Sequence, residues 1–222
     1  MSTLYDTITA NTGFRVPDLY RRMVADGVTQ YGTSTADWME TWKQRAIENP
    51  PALMLASAQV EWWQPEDIAN WEAPAHFDPA HKLVPFASTG AGDMWCWYAN
   101  GGDVIVLAPY EEDGATIFAP DLESFLLRHM LQGFAEIVEE DGTDFTREQR
   151  SEVARANIRT ITPYLNPAWV ELLTELPEHP LERDEEWDCL RLLTRDEAID
   201  LIQTELDMAN LNETFSHMRR VR

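Results

Sequence analysis

The 222 residues carry 39 acidic and 17 basic side chains, a formal charge of −22 that repels nucleic acid and anionic membrane and attracts a basic partner, besides serving solubility. A chain of this length with 44% hydrophobic residues should bury roughly 70% of the surface of its unfolded form, so neither disulfides nor metals are needed for stability. Cys96 and Cys189 are too sparse for a disulfide framework, no apolar run approaches the roughly 18 residues that span a bilayer, and MSTLYDTITANTG has no secretory pattern; the expected location is the cytoplasm.

The first predicted helix opens at Val16-Pro17-Asp18. Proline suits the first helical position and Asp18 the positive end of the helix dipole. Leu19, Tyr20, Met23 and Val24 recur at helical spacing, and Gly27 is the stop. Ser34 leads into WMETWKQRAIE, a second helix with Trp38 and Trp42 one turn apart, ended by Pro50-Pro51. A strand is expected near residues 60–63, a further helix starts at Pro65-Glu66-Asp67, and residues 72–81 read as an irregular loop.

Residues 82–134 read as a loop, a strand, a tight turn, a second strand, a short third strand and an amphipathic helix. Pro85 and the TGAG run at residues 89–92 open it, Asn100-Gly101-Gly102 divides the first two strands, and Asp113-Gly114 divides the next two. In the first strand Met94, Cys96 and Tyr98 alternate with Trp95 and Trp97, which predicts a strand covered on both faces. Pro109 cannot donate to a ladder and marks a strand end or edge. Asp121 caps the helix, whose apolar face of Leu122, Phe125, Leu126, Met130, Phe134, Ile137 and Val138 is expected to cover the sheet.

From Thr146 onward the chain reads as mostly helical. TREQ at 146–149 and TRDE at 194–197 have capping-box character, and Pro163, Pro167, Pro177 and Pro180 break the region into short pieces. Residues 187–193 read as one more strand, and the acidic cluster at 136–144 as a short candidate boundary. Most of the nine tryptophans are expected to be buried or half-buried. The residues alone therefore specify an α+β protein.

The central stretch resembles the SUKH superfamily, in particular the fungal cell-wall assembly regulators and their bacterial relatives. The residues that carry the resemblance are Pro85, Phe86, Ala87, Ser88, Gly90, Gly92 and Asp93, then Val104 and Glu111, and then Leu122, Glu123, Phe125 and Leu126. Val16-Pro17-Asp18-Leu19-Tyr20 is similar to the family's opening helix, and Pro65-Glu66-Asp67-Ile68 to a later helix start. Residues 193–197 and 211–215 are similar to an extension of some bacterial members. Thr89 and Ala91 depart from the family pattern, which often has Asp and Gly there. The resemblance implies a twisted, mainly antiparallel sheet packed by helices with a helical C-terminal extension. It implies one unit over residues 1–222, with the family core at 16–138 and the extension at 145–222. It also implies the common role of an immunity protein, which binds and neutralises a toxin, often a nuclease.

Candidate chemistry is thin. The glycine run at 89–92 precedes a strand, not the helix N-terminus that a phosphate cradle needs, so it reads as backbone freedom for a tight turn. His76, Asp78 and His81 share one loop, and a zinc or hydrolase reading needs further ligands from elsewhere. His129 reads as a hydrogen-bonded, half-buried histidine, and Cys96 as an inert packed thiol. Ser88 and Ser124 lack a recognisable base. Asp93, Glu111, Glu112 and Asp113 read as a solvated acidic turn, a carboxylate cluster, or an acidic face for Arg and Lys of a partner. They are the residues chosen for partner binding. The expected function is thus a non-enzymatic binding protein without cofactor or metal, neutralising a cognate and basic toxin protein. The alternatives are a regulatory scaffold of the cell-wall regulator type and a metal-dependent hydrolase.

Overall fold

The computed structural model describes residues 3–54, 60–136, 146–176, 182–184 and 189–219. The chain packs as two compact units, one formed by Met1–Thr29, Ser57–Phe125 and Met208–Arg222, the other by Gln30–Ala56 and Leu126–Asp207. Both are discontinuous in sequence, and they cut across the segments 16–138 and 145–222 named above. The fold class is α+β.

The first unit begins with two helices, α1 (Leu4–Thr12) and α2 (Asp18–Ala25). The sequence reading missed α1, although Thr3 and Asp6 form a full capping box and Gly13 closes the helix with a left-handed φ of 71°. Pro17, predicted at the first helical position, is instead the N-cap of α2, which begins one residue later at Asp18. Tyr20 and Met23 are buried as the spacing requires, with Leu19 and Val24 half-buried.

Strands β1 (Glu61–Trp62), β2 (Leu83–Ser88), β3 (Met94–Tyr98), β4 (Ile105–Ala108), β5 (Ala115–Ala119) and β8 (Thr214–Phe215) form one sheet in the order β1-β2-β3-β4-β5-β8. Every pairing is antiparallel. Helix α4 (Pro65–Asn70) starts on Pro65 as expected. One prediction is corrected here: Pro85-Phe86-Ala87 is not a loop but strand β2. Pro85 is tolerated there because the register shifts between Pro85 and Ala87, a bulge that relieves the missing N–H. The glycine run is then the β2–β3 turn, where Gly92 has φ 92°, a conformation that a side chain disfavours. Strand β4 stops just before Pro109.

Both faces of β3 are covered. Met94 and Cys96 pack with Val106, Ala108, Ala115, Leu83 and Phe77, and half-buried Tyr98 and Phe215 close that side. On the other face Trp97 stacks on Phe14 at 5.4 Å, meets Tyr20 edge-on at 5.3 Å and lies 4.6 Å from Phe86. Helix α5 (Leu122–Glu136) is capped by Asp121, whose Oδ1 accepts the Ser124 N–H at 2.8 Å. Its Phe125 ring fits among Trp62, Phe86, Trp95 and Phe118 at 5.2–6.1 Å. Ile137 and Val138, predicted for the same apolar face, lie outside the described residues.

In the second unit the remaining apolar residues of α5, from Leu126 to Phe134, are buried. Helix α3 (Thr35–Glu48) is capped by Ser34 and contacts α6 (Arg147–Ile161). Ala46, Met54 and Val153 form a small core there, with Trp38 and Trp42 packed against it. Helices α7 (Pro167–Glu175) and α8 (Arg195–Leu206) follow, joined by a hairpin of β6 (Glu182–Asp184) and β7 (Cys189–Arg191). Strand β7 falls within the predicted segment 187–193, but Trp187, Pro177 and Pro180 lie outside the described residues. All eight described tryptophans are buried or half-buried, in line with the expectation.

The predicted box at Thr194 is complete: its hydroxyl accepts the Glu197 N–H at 3.3 Å, and Glu197 accepts the Thr194 N–H at 2.8 Å. Thr194→Ala removes one half of this reciprocal pair. The expected loss is about 1 kcal/mol of stability. It should be read as a lower urea midpoint with an unchanged slope.

Candidate functional site

The antiparallel register decides which loops meet. Met94 at the start of β3 pairs with Ala108 at the end of β4. The β2–β3 turn and the β4–β5 turn therefore leave the sheet at the same end. This brings Asp93 to the segment Pro109–Gly114, which spacing in the sequence could not establish.

Asp93 is a brace. Its Oδ1 accepts the Tyr110 N–H at 3.2 Å, while its own N–H donates to the Thr89 hydroxyl at 3.1 Å. The carbonyl of Tyr110 accepts from His76 Nε2 at 3.0 Å, and the His76 ring meets the Tyr110 ring edge-on at 5.6 Å. Tyr110 is thus held through both backbone groups and its ring, yet the residue is 47% exposed. Glu111 and Glu112 follow it, exposed and without hydrogen bond or ion pair to the described residues.

Asp113 differs from the two glutamates. Its Oδ1 accepts backbone N–H groups of Gly114 at 3.0 Å, His217 at 2.8 Å and Met218 at 3.0 Å; its Oδ2 accepts the Ser216 hydroxyl at 2.6 Å. These bonds, the one from Ser216 foremost, hold its carboxyl well below the usual range, at about 2. A carboxylate with four donors, one of them a hydroxyl and three of them backbone amides, is a structural anchor for the C-terminal strand. Among the four residues chosen from the sequence, Glu111 and Glu112 face outward, Asp93 supports their turn, and Asp113 ties it to β8.

The other candidates are engaged separately. His81 Nδ1 lies 3.1 Å from the Tyr98 hydroxyl, and the Asp78 carboxylate accepts the Ala80 N–H at 2.9 Å. The loop therefore directs His76, Asp78 and His81 to different partners, and no group of three or more His, Cys, Asp or Glu among the described residues is placed to hold a metal. Ser88 accepts from the Trp63 indole at 3.3 Å, and Ser124 is buried. His129, expected to be half-buried, is 3% exposed; burial, then the charge of Arg128, push it down to about 3. Cys96 is fully buried and its thiol is pushed up by desolvation, as a packed thiol should be.

Sequence reasoning missed Tyr110 and His217. Tyr110 had a readable signal, an aromatic between Pro109 and a run of acids. His217 had none, because its role exists only once residues 214–218 lie beside β5. No helix among the described residues is long and apolar enough to cross a membrane. A scan against protein-family models and searches of curated proteins and of solved structures return no match for this chain.

Proposed function

We propose that the chain is a non-enzymatic binding protein for a basic protein partner. Following the SUKH resemblance, we further propose that the partner is a cognate bacterial toxin, neutralised in the cytoplasm. The observation that carries the reading is the exposed, backbone-anchored Tyr110 beside the carboxylates of Glu111 and Glu112, which are exposed and unpaired among the described residues. A tyrosine fixed before binding loses little conformational freedom on association, and tyrosine is among the residues that dominate interface energies. Its ring and two carboxylates suit an Arg or Lys side chain through cation–π and charge complementarity. The net charge of −22 adds long-range attraction for such a surface.

The test is co-expression with the product of the neighbouring gene. Relief of toxicity with a co-purifying complex supports the reading; persistent toxicity without a complex overturns it for that pair. In the complex, Glu111→Lys with Glu112→Lys is expected to slow association at low salt by more than about tenfold. Tyr110→Ala should act mainly on dissociation. An association rate that is insensitive to both salt and the double reversal removes this turn from the interface.

A further inference from the structure

Three of the five histidines, His76, His81 and His217, meet where the C-terminal strand is held, and the binding reading above makes no use of their titration. The strand is secured at several points. Thr214 and Phe215 pair with Thr116 and Ala115, and Ile117 exchanges bonds with Glu213 and Asn212, each at 2.9 Å. Met218 bridges to Phe77, and Asp113 collects the amides of His217 and Met218. The His217 ring closes the arrangement, wholly buried, edge-on to Phe77 at 4.9 Å.

Among the described residues that ring makes a short hydrogen bond through one nitrogen only. Nε2 lies 3.0 Å from the carbonyl oxygen of Pro109, which can only accept, so Nε2 carries the proton. In the neutral ring Nδ1 is then a bare lone pair. It is buried and has no hydrogen-bond partner among the described residues. Asp113 Oδ1 is 3.5 Å away and already receives three N–H donors.

We propose that His217 makes this a proton-released clasp: uptake of one proton by its buried ring opens residues 212–219 and uncovers the edge of β5. A proton on Nδ1 would place a charge where the side chain is 0% exposed and where the Asp113 Oδ1 oxygen lies 3.5 Å away, too far for a short bond. The titratable and charged groups facing the ring are Asp113, which favours the charge, and His76 and His81, which oppose it. Burial outweighs the attraction, and the ring sits below its ordinary value. In the released strand the ring meets water and titrates near 6.5. A folded value below the released one means that the closed form is fully favoured above about pH 6.5 and loses ground as pH falls beneath it. One proton changes the opening equilibrium by up to about tenfold per pH unit in that range. The amides and carbonyls of β5 that pair with residues 212–215 would then form an open strand edge.

Hydrogen exchange, corrected for the intrinsic rate, tests this on the whole chain. Between pH 7.5 and 5.5 the protection of the amides of Ile117, His217 and Met218 is expected to fall, by at most about tenfold. The amides of Trp95 and Trp97 should hold. His217→Gln keeps a donor for Pro109 but cannot titrate, and its tail protection should be flat over this range. A flat or rising wild-type response overturns the proposal, as does a glutamine variant that keeps the wild-type dependence. Should that variant not fold, the imidazole proton resonance of wild-type His217 decides: titration at or above 6.5 in the closed form overturns the clasp, and titration below it supports it.

Discussion

Trp97→Ala is expected to cost about 3–5 kcal/mol, the range for removing a large aromatic from a close-packed core. Trp97 is fully buried at the centre of the first unit, with ring neighbours from three different segments: Phe14, Tyr20 and Phe86. Alanine leaves a cavity that all three would have to collapse into, and β2 and β3 fix two of its walls. The urea midpoint should fall sharply. Trp97→Phe should cost much less. Phenylalanine keeps most of the ring contact, and it deletes an indole N–H that is buried without a hydrogen-bond partner among the described residues. If the phenylalanine variant is as unstable as the alanine one, the indole shape, not burial, sets the stability of this core. By contrast Trp38, half-buried against Tyr31, is expected to tolerate truncation better.

The elements legible in the sequence were those whose signals are local. The Thr194 and Thr146 boxes, the Ser34 cap and Pro65 at a first turn each satisfy a helix end with neighbouring residues, so the pattern is its own evidence. The alternation of β3 likewise needed no distant information. Strand β2 was misread because Pro85 argues against a ladder, and only the bulge beside it, a property of the pairing with β3, removes the objection. Strand β8 is two residues long and exists because β5 offers an edge, so nothing within Thr214-Phe215 announces it. The acidic turn shows the same division. Its exposure and charge were readable, whereas its split into outward-facing Glu111 and Glu112 and anchoring Asp113 depends on residues 216–218, more than a hundred positions away.

Asp113→Ala should lower protection of the C-terminal strand, most at His217 and Met218, while leaving β3 and β4 protected. The substitution strands four donors at once: the amides of Gly114, His217 and Met218 and the hydroxyl of Ser216. Residues 212–219 keep their backbone bonds to β5 and to residues 76–78, the Phe215 ring contacts and the Arg219 bond to the Phe77 carbonyl, so the loss is expected to be greatest at the amides of His217 and Met218, which Asp113 accepts directly. Asp113→Asn separates charge from geometry. It keeps Oδ1 for the three amides and turns an NH2 group toward Ser216, whose oxygen can accept. Near neutral pH it should retain most of the protection. The two forms part in acid. In the wild type the folded pKa is depressed to about 2, so the carboxylate contributes its full stabilisation above its unfolded value near 3.9 and loses it as pH falls toward 2. Wild-type tail protection should drop across that window, and the asparagine variant should not. This window lies well below the one assigned to His217, so a single exchange series from pH 7.5 to 2 resolves two separate steps at the tail. A wild type without the lower step, or an alanine variant with a protected tail, would show that β8 is held by its backbone pairing with β5 and not by Asp113.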